Sequence, residues 1–531
     1  PLSTPSGQCC ERACTPTRSG TMSARRVVFP SISESGSRRS PWSRLRQSPK
    51  PPRMSFVRGL TQPSLRSPAK AQWPVVLGMA GVSPSYRSAS PSTAAGSDAV
   101  LEARAVQTIA THRACASNGL GILLPEVDDA TFRILAQLES HSRVDRPEPK
   151  VVWKILSRLG KAITRALGPE AVSLLGRSTS VSAFTNFPVG LAILPGDTAP
   201  LVCRVPVSLL PVQPLTRCLQ HELLRRPFIY LRQELRVLIA ECLSPSDRIR
   251  PYSMRGWALV QEIVRDHPGA VCEIVEIASP EELREHLKGG RYQILILSAH
   301  GHYDTDLNMA TLVIGNKSIA GPELGPMPPL VILSACHTAP RGRSAVSVAD
   351  LLFAGGASAV LGTLVPIEVR RNAMSMVRLF TYVMETIRGT EQHRTFDEIW
   401  HRVATSNAVN EVLSASESLN KWATAGGHEK SVIHEFMRVR SKGSLRRGHI
   451  YEDTEAVLQE IANERGIGRR FRATMVSQRY IPESVFYTFV GRPDRIVLAD
   501  DSIDEIIAAG GDPSRPSGRG SDTPSSAKLP R

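Results

Sequence analysis

The chain has 531 residues, with 65 Lys and Arg against 49 Asp and Glu, 41% hydrophobic and 5% aromatic residues, 38 Gly and 40 Pro. That length allows two or three domains of about 150 residues and excludes a small disulfide scaffold. No apolar run approaches the ~20 residues of a membrane-spanning helix. The best stretch, Trp73 to Val82, holds one Pro and two Gly, so no membrane partner is expected.

A net charge of +16 would suggest nucleic acid or an acidic surface if it lay on a folded domain. Residues 1–98, however, hold 14 basic and 3 acidic residues in a Ser/Pro/Arg-rich background, and read as a disordered tail. Residues 501–531 read as a second tail. Residues 99–510 carry 47 basic and 44 acidic residues, a net charge of +3, so nucleic acid is not an expected partner. The chain opens on Pro1 and its first Met is Met22, so no function is built on the opening segment. No signal-peptide pattern is visible, which makes the cytoplasm the default location. The nine Cys contain no C-x-x-C pair, and Cys9, Cys10 and Cys14 lack a matching second pair of ligands, so a zinc site is not expected.

In chain order, residues 99–185 read as a helical accessory segment. Val152, Ile155, Leu156, Leu159, Ile163 and Leu167 recur at helical spacing, giving a face that packs on something larger or holds a regulatory partner. Residues 186–215 read as short strands and turns. Strands and helices then alternate: RVLIA (236–240), the helix RGWALVQEIVRDH, VCEIVEIA (271–278), the helix PEELREHLKGG, ILIL (294–297), the hairpin-like TLVIGNKSIA, LVIL (330–333), the helix VADLLFAGG, SAVLGTL, and a helix from about 367 to 387. Uniformly apolar strands between helices predict an α/β fold, a mostly parallel sheet covered on both faces. Further helices and a closing strand, SVFYTFVG, follow. The basic residues of 438–479 are interspersed with acids and read as a solvated surface.

Two segments share one layout: four apolar residues, Ser-Ala, and then a chemically competent residue. They are ILIL-Ser298-Ala299-His300-Gly301 and LVIL-Ser334-Ala335-Cys336-His337. Ligands bind beyond the carboxyl ends of strands in open α/β sheets. If the two strands are adjacent, parallel and in register, His300 and Cys336 come within cooperating distance. An imidazole near a thiol lowers its pKa or takes its proton during attack. The backbone N–H groups of Gly301 and Cys336 would then serve as an oxyanion hole.

SAHG and LVILSACHT, followed by LLFAGGASAVLGTLVPI, resemble the CHAT domain, a group of caspase-like cysteine peptidases related to separases, gingipains, legumains and caspases. The similarity is clearest over 292–385 and extends to about 150–500. It implies a caspase-like catalytic domain over 186–500 with its core at 236–390, His300 as general base and acid, Cys336 as nucleophile, and Gly301 with the Cys336 amide as oxyanion donors. It also implies a protein or peptide substrate cleaved through a thioester, with no metal or organic cofactor. The chain departs from the family pattern at Val365-Pro366-Ile367, at Glu368 and at His337.

Competing readings remain. His300, His302 and Asp304 match part of the H-x-H-x-D-H pattern of metal-dependent hydrolases, with Thr305 in place of the last His. Within the peptidase reading, Asp304 or Asp306 would select a basic side chain before the scissile bond. A non-enzymatic CHAT scaffold or regulatory module is the third possibility.

Overall fold

A computed structural model of the chain describes residues 55–58, 72–79 and 95–509, except 125–126, 145, 186, 212–227, 305–308, 343–346, 392, 428–429 and 442. The described strands are β1 (Ser55–Arg58), β2 (Trp73–Met79), β3 (Leu120–Leu124), β4 (Ser178–Phe184), β5 (Val207–Leu210), β6 (Ile229–Tyr230), β7 (Leu235–Glu241), β8 (Ala270–Glu276), β9 (Ile294–Ser298), β10 (His300–Asp304), β11 (Met309–Ile314), β12 (Lys317–Ile319), β13 (Leu330–Ser334), β14 (Ala359–Thr363), β15 (Tyr487–Gly491) and β16 (Ile496–Val497). Eleven of them form one sheet in the order β1-β3-β2-β4-β5-β15-β14-β13-β9-β7-β8. Its pairs are parallel except β1 with β3 and β15 with β14. This is the α/β, mostly parallel, helix-flanked architecture that the apolar runs predicted.

The expected pairing of the two motif strands is present. β13 lies parallel to β9 from Leu330 opposite Ile294 to Ser334 opposite Ser298. Alternate residues of these strands enter two different cores, which is why the runs are apolar throughout. Ile294, Ile296, Leu330 and Ile332 pack with Trp257, Met376 and Phe380 on one face. Leu295, Leu297, Val331 and Leu333 pack with Leu283 and Leu352 on the other.

Helices α4 (Arg250–Arg265), α7 (Val369–Ile387) and α8 (Phe396–Asn410) cover the first face and α5 (Pro280–Leu287) and α6 (Val348–Ala354) the second, while α1 (Ala95–Ala116), α2 (Asp129–Ser142) and α3 (Pro149–Leu175) pack in the cores around β2, β3 and β4. Side-chain caps start the short ones where the sequence offers Ser: Ser279 Oγ accepts from Glu282 N on α5, and Ser347 Oγ from Asp350 N on α6. No described helix is long and apolar enough to cross a membrane.

The N-terminal third differs from its sequence reading. Trp73–Met79, inside the stretch 1–98 taken for a tail, forms β2 between β3 and β4, with Val75, Val76 and Leu77 almost fully buried. A strand buried on both faces needs only a handful of apolar residues, and the basic composition around them masks so short a signal. Gly78 packs closely there, and a Cβ would meet the Leu123 side chain at 2.8 Å and Ala110 at 3.0 Å. The segment 99–185 is likewise not purely helical, since β3 and β4 extend the same sheet. Within 501–531, Asp501–Ala508 form a helix capped by Asp500.

Candidate active site

The carboxyl ends of β7, β9, β13 and β14 open into one cleft of about 670 Å³, lined among others by Ser298, Ala299, His300, Gly301, Ser334, Ala335, Cys336 and Thr363. That volume lies within the ~300–1,000 Å³ typical of ligand sites. His300 and Cys336, each two residues beyond the paired Ser298 and Ser334, both line this space. Gly301 packs directly against the Cys336 peptide. A Cβ there would stand 1.6 Å from the carbonyl oxygen of Cys336, 2.7 Å from its carbonyl carbon and 3.1 Å from its nitrogen. Only glycine lets the His300 segment lie this tightly on the Cys336 peptide.

His300 is oriented by a residue the sequence reading missed. Its Nε2 donates to Asp247 Oδ2 at 2.6 Å, while Asp247 Oδ1 accepts from Ile249 N at 2.9 Å. Asp247 sits in the loop between β7 and α4. Donation from Nε2 fixes the neutral ring as the tautomer whose Nδ1 is the basic nitrogen. Below it, Glu241 ends β7 as a buried carboxylate. It accepts from Leu243 N at 3.0 Å, Ser253 Oγ at 2.9 Å, Trp257 Nε1 at 3.0 Å and Ser298 Oγ at 3.0 Å. These bonds join the ends of β7 and β9 to α4, so the loop carrying Asp247 and the turn carrying His300 share one anchor. A charged residue closing the apolar run RVLIAE was the available sequence signal.

The Cys336 turn is held from the other side. Thr363 Oγ1 donates to Ala335 O, Thr363 N to Thr338 Oγ1, and Asn372 Nδ2 to Ser334 Oγ. Cys336 Sγ lies 3.8 Å from the Ile367 carbonyl oxygen. The following residue, His337, turns the chain sharply with a φ of 51° and is buried. Burial, with Arg143 nearby, pushes its imidazole down to about 3, so His337 is neutral at ordinary pH. Burial also pushes Cys203, Cys242 and Cys272 up, Cys272 to about 12, whereas Cys336 is half-buried at the cleft.

The N-terminal segment reaches this site. Ser142, Val144 and Pro147 line the cleft. Glu139 on α2 is buried and accepts from Arg341 N at 2.8 Å and Gly342 N at 2.9 Å, in the loop that follows Cys336. Burial raises its carboxyl to about 7. Asp304, opposite Met309 at the far end of β10, is not part of the cleft lining, and Asp306 lies outside the described residues. His302 is exposed on β10. Among the described residues no three His, Cys, Asp or Glu side chains form a metal-binding group.

The fold and cleft define an α/β protein with an imidazole and a thiol at adjoining strand ends. The CHAT domain family model matches residues 184–423 of the chain. No curated protein matches the chain in sequence. Solved structures similar to it include the Arg-specific cysteine proteinase gingipain R, 11% identical, with a TM-score of 0.34, covering 64% of this chain and 70% of that one. The complex of Porphyromonas gingivalis RgpB pro- and mature domains is 9% identical, with a TM-score of 0.33, covering 69% and 78%. The Saccharomyces cerevisiae separase–securin complex is 12% identical, with a TM-score of 0.29, covering 43% of this chain and 14% of that one.

Proposed function

We propose that the protein is a cysteine-type endopeptidase in which His300 and Cys336 act as a dyad, with Asp247 as the residue positioning His300. The observation that carries this reading is the contact of Gly301 with the Cys336 peptide at the ends of two paired strands. His300 Nδ1 takes the Cys336 proton as Sγ attacks the substrate carbonyl carbon, forming the C–S bond. The C–N bond breaks as His300 returns the proton to the leaving amine, and water, deprotonated by the same imidazole, hydrolyses the thioester and regenerates the thiol. Gly301 and Cys336 N–H groups stabilise the oxyanion in both steps. The substrates are proteins or peptides, and a reducing, cytoplasmic setting suits a free nucleophilic thiol.

A thiol-directed peptidyl electrophile tests the assignment. It should add once to the wild-type protein, at Cys336, and not to Cys336→Ala. Equal labelling of the two proteins would remove Cys336 from the nucleophile's role.

A further inference from the structure

We propose that the cleft selects a substrate side chain bearing a carboxylate, held by Arg248 and Arg370, so that the favoured peptide is acidic near the bond presented to Cys336. This deepens the peptidase reading and rests on it.

The inference comes from which charges at the cleft are already compensated. Every carboxylate oxygen at its walls accepts a bond from within the protein. Asp247 is held by Ile249 N and His300. Glu368 caps α7, its Oε1 accepting from Arg370 N at 3.1 Å and its Oε2 from Arg371 N at 2.9 Å. Glu483 Oε1 accepts from Arg371 Nη1 at 2.7 Å and its Oε2 from Glu368 N at 2.9 Å. Two arginines are in the opposite condition. Arg248 and Arg370 both line the cleft and are exposed, and among the described residues neither makes an ion pair.

Arg370 is also preorganised. Its guanidinium carbon lies 4.1 Å from the centroid of the Tyr252 ring, and Tyr252 itself lines the cleft. Stacking of that kind occupies the flat face of the guanidinium and leaves its in-plane N–H donors for a ligand. A carboxylate matches that fork with two parallel, charge-assisted hydrogen bonds. Leu243, Ile249, Pro366 and Ile367 supply apolar wall, which strengthens such bonds by excluding water. The selectivity is opposite in sign to the one read from Asp304 and Asp306, because Asp304 is not part of the lining while the two arginines are.

The test uses the full chain with Cys336→Ala, which separates binding from turnover. Three random-sequence fluorescein-labelled peptide pools, capped at both ends so that only side chains carry carboxylates, differ at one central residue: Glu, Gln or Lys. By fluorescence anisotropy the Glu pool should bind about tenfold tighter than the Gln pool, the weight of one charge-assisted hydrogen bond, and the Lys pool most weakly. Added salt should shrink that advantage, and Arg248→Gln with Arg370→Gln should abolish it. Arg370→Lys, which keeps the charge and loses the fork, should retain only part. Equal binding of the Glu and Gln pools, or an advantage that survives the double substitution, overturns the inference. Wild-type cleavage of the same pools reports separately on the peptidase reading. Acidic preference without Cys336-dependent cleavage would sink that reading alone, and cleavage without acidic preference would sink this inference alone.

Discussion

Gly301→Ala is the most informative single perturbation of the site. Gly301 does not adopt a positive φ, so alanine is permitted by the backbone and the substitution tests close approach alone. The added methyl group would stand 1.6 Å from the Cys336 carbonyl oxygen, whereas real Cβ atoms essentially never lie within 3.0 Å of another heavy atom. The two segments must therefore separate by more than 1 Å. Overpacking of this kind lowers stability by about 1–3 kcal/mol, which a fold of this size tolerates. A displacement of about 1 Å between reacting groups, by contrast, lowers rates by about 100-fold. The assay is the rate of Cys336 labelling by a thiol-directed peptidyl electrophile, read beside thermal melting. Gly176→Ala serves as the control, because the nearest atoms to its added Cβ lie at an ordinary 3.5 Å. If Gly301→Ala melts cooperatively and labels within about twofold of wild type, the Gly301 contact does not hold His300 and Cys336 in place.

Two further predictions follow from buried and oriented carboxylates. Asp247→Asn should lower kcat by about 100-fold with KM little changed, since it removes the group that fixes the His300 tautomer; a kcat within about twofold of wild type, or a loss carried by KM instead, would deny Asp247 a positioning role. Glu139 is raised from 4.5 to about 7 by burial, so its contribution to stability is fully present below pH 4.5 and lost as pH rises through 7, a loss of about 3 kcal/mol. Glu139→Gln keeps an acceptor for the amides of Arg341 and Gly342 and removes that loss. The variant should resist urea better than wild type at pH 8.5 and match it near pH 4.5. His337 and His401, both lowered to about 3 by burial, act in the other direction: their contribution is present above 6.5 and is lost as pH falls toward 3.

What could be read from sequence was what repeats or saturates. The runs at 294–297 and 330–333 are apolar on both faces, and two identical Ser-Ala exits allowed the register of β9 with β13 to be anticipated. β2 escaped notice because its signal is a few residues long and the charge surrounding it dominates any compositional average. Asp247, Arg248 and Arg370 carry no periodicity: they come from a loop and a helix start, and only the folded chain brings the two arginines to one cleft and Asp247 against His300. Gly301 was expected as an oxyanion donor, yet its steric necessity appears only when the Cys336 carbonyl is seen against it.

The central claim is that Cys336 and His300 together break peptide bonds. It is met most directly by incubating the wild-type chain, Cys336→Ala and His300→Ala with a random-sequence peptide pool and identifying new termini by mass spectrometry. Wild type should generate a recurring set of internal cleavages, and both variants should generate none. The same cleavages from Cys336→Ala, or no cleavage from a wild-type protein that labels at Cys336, would contradict the claim.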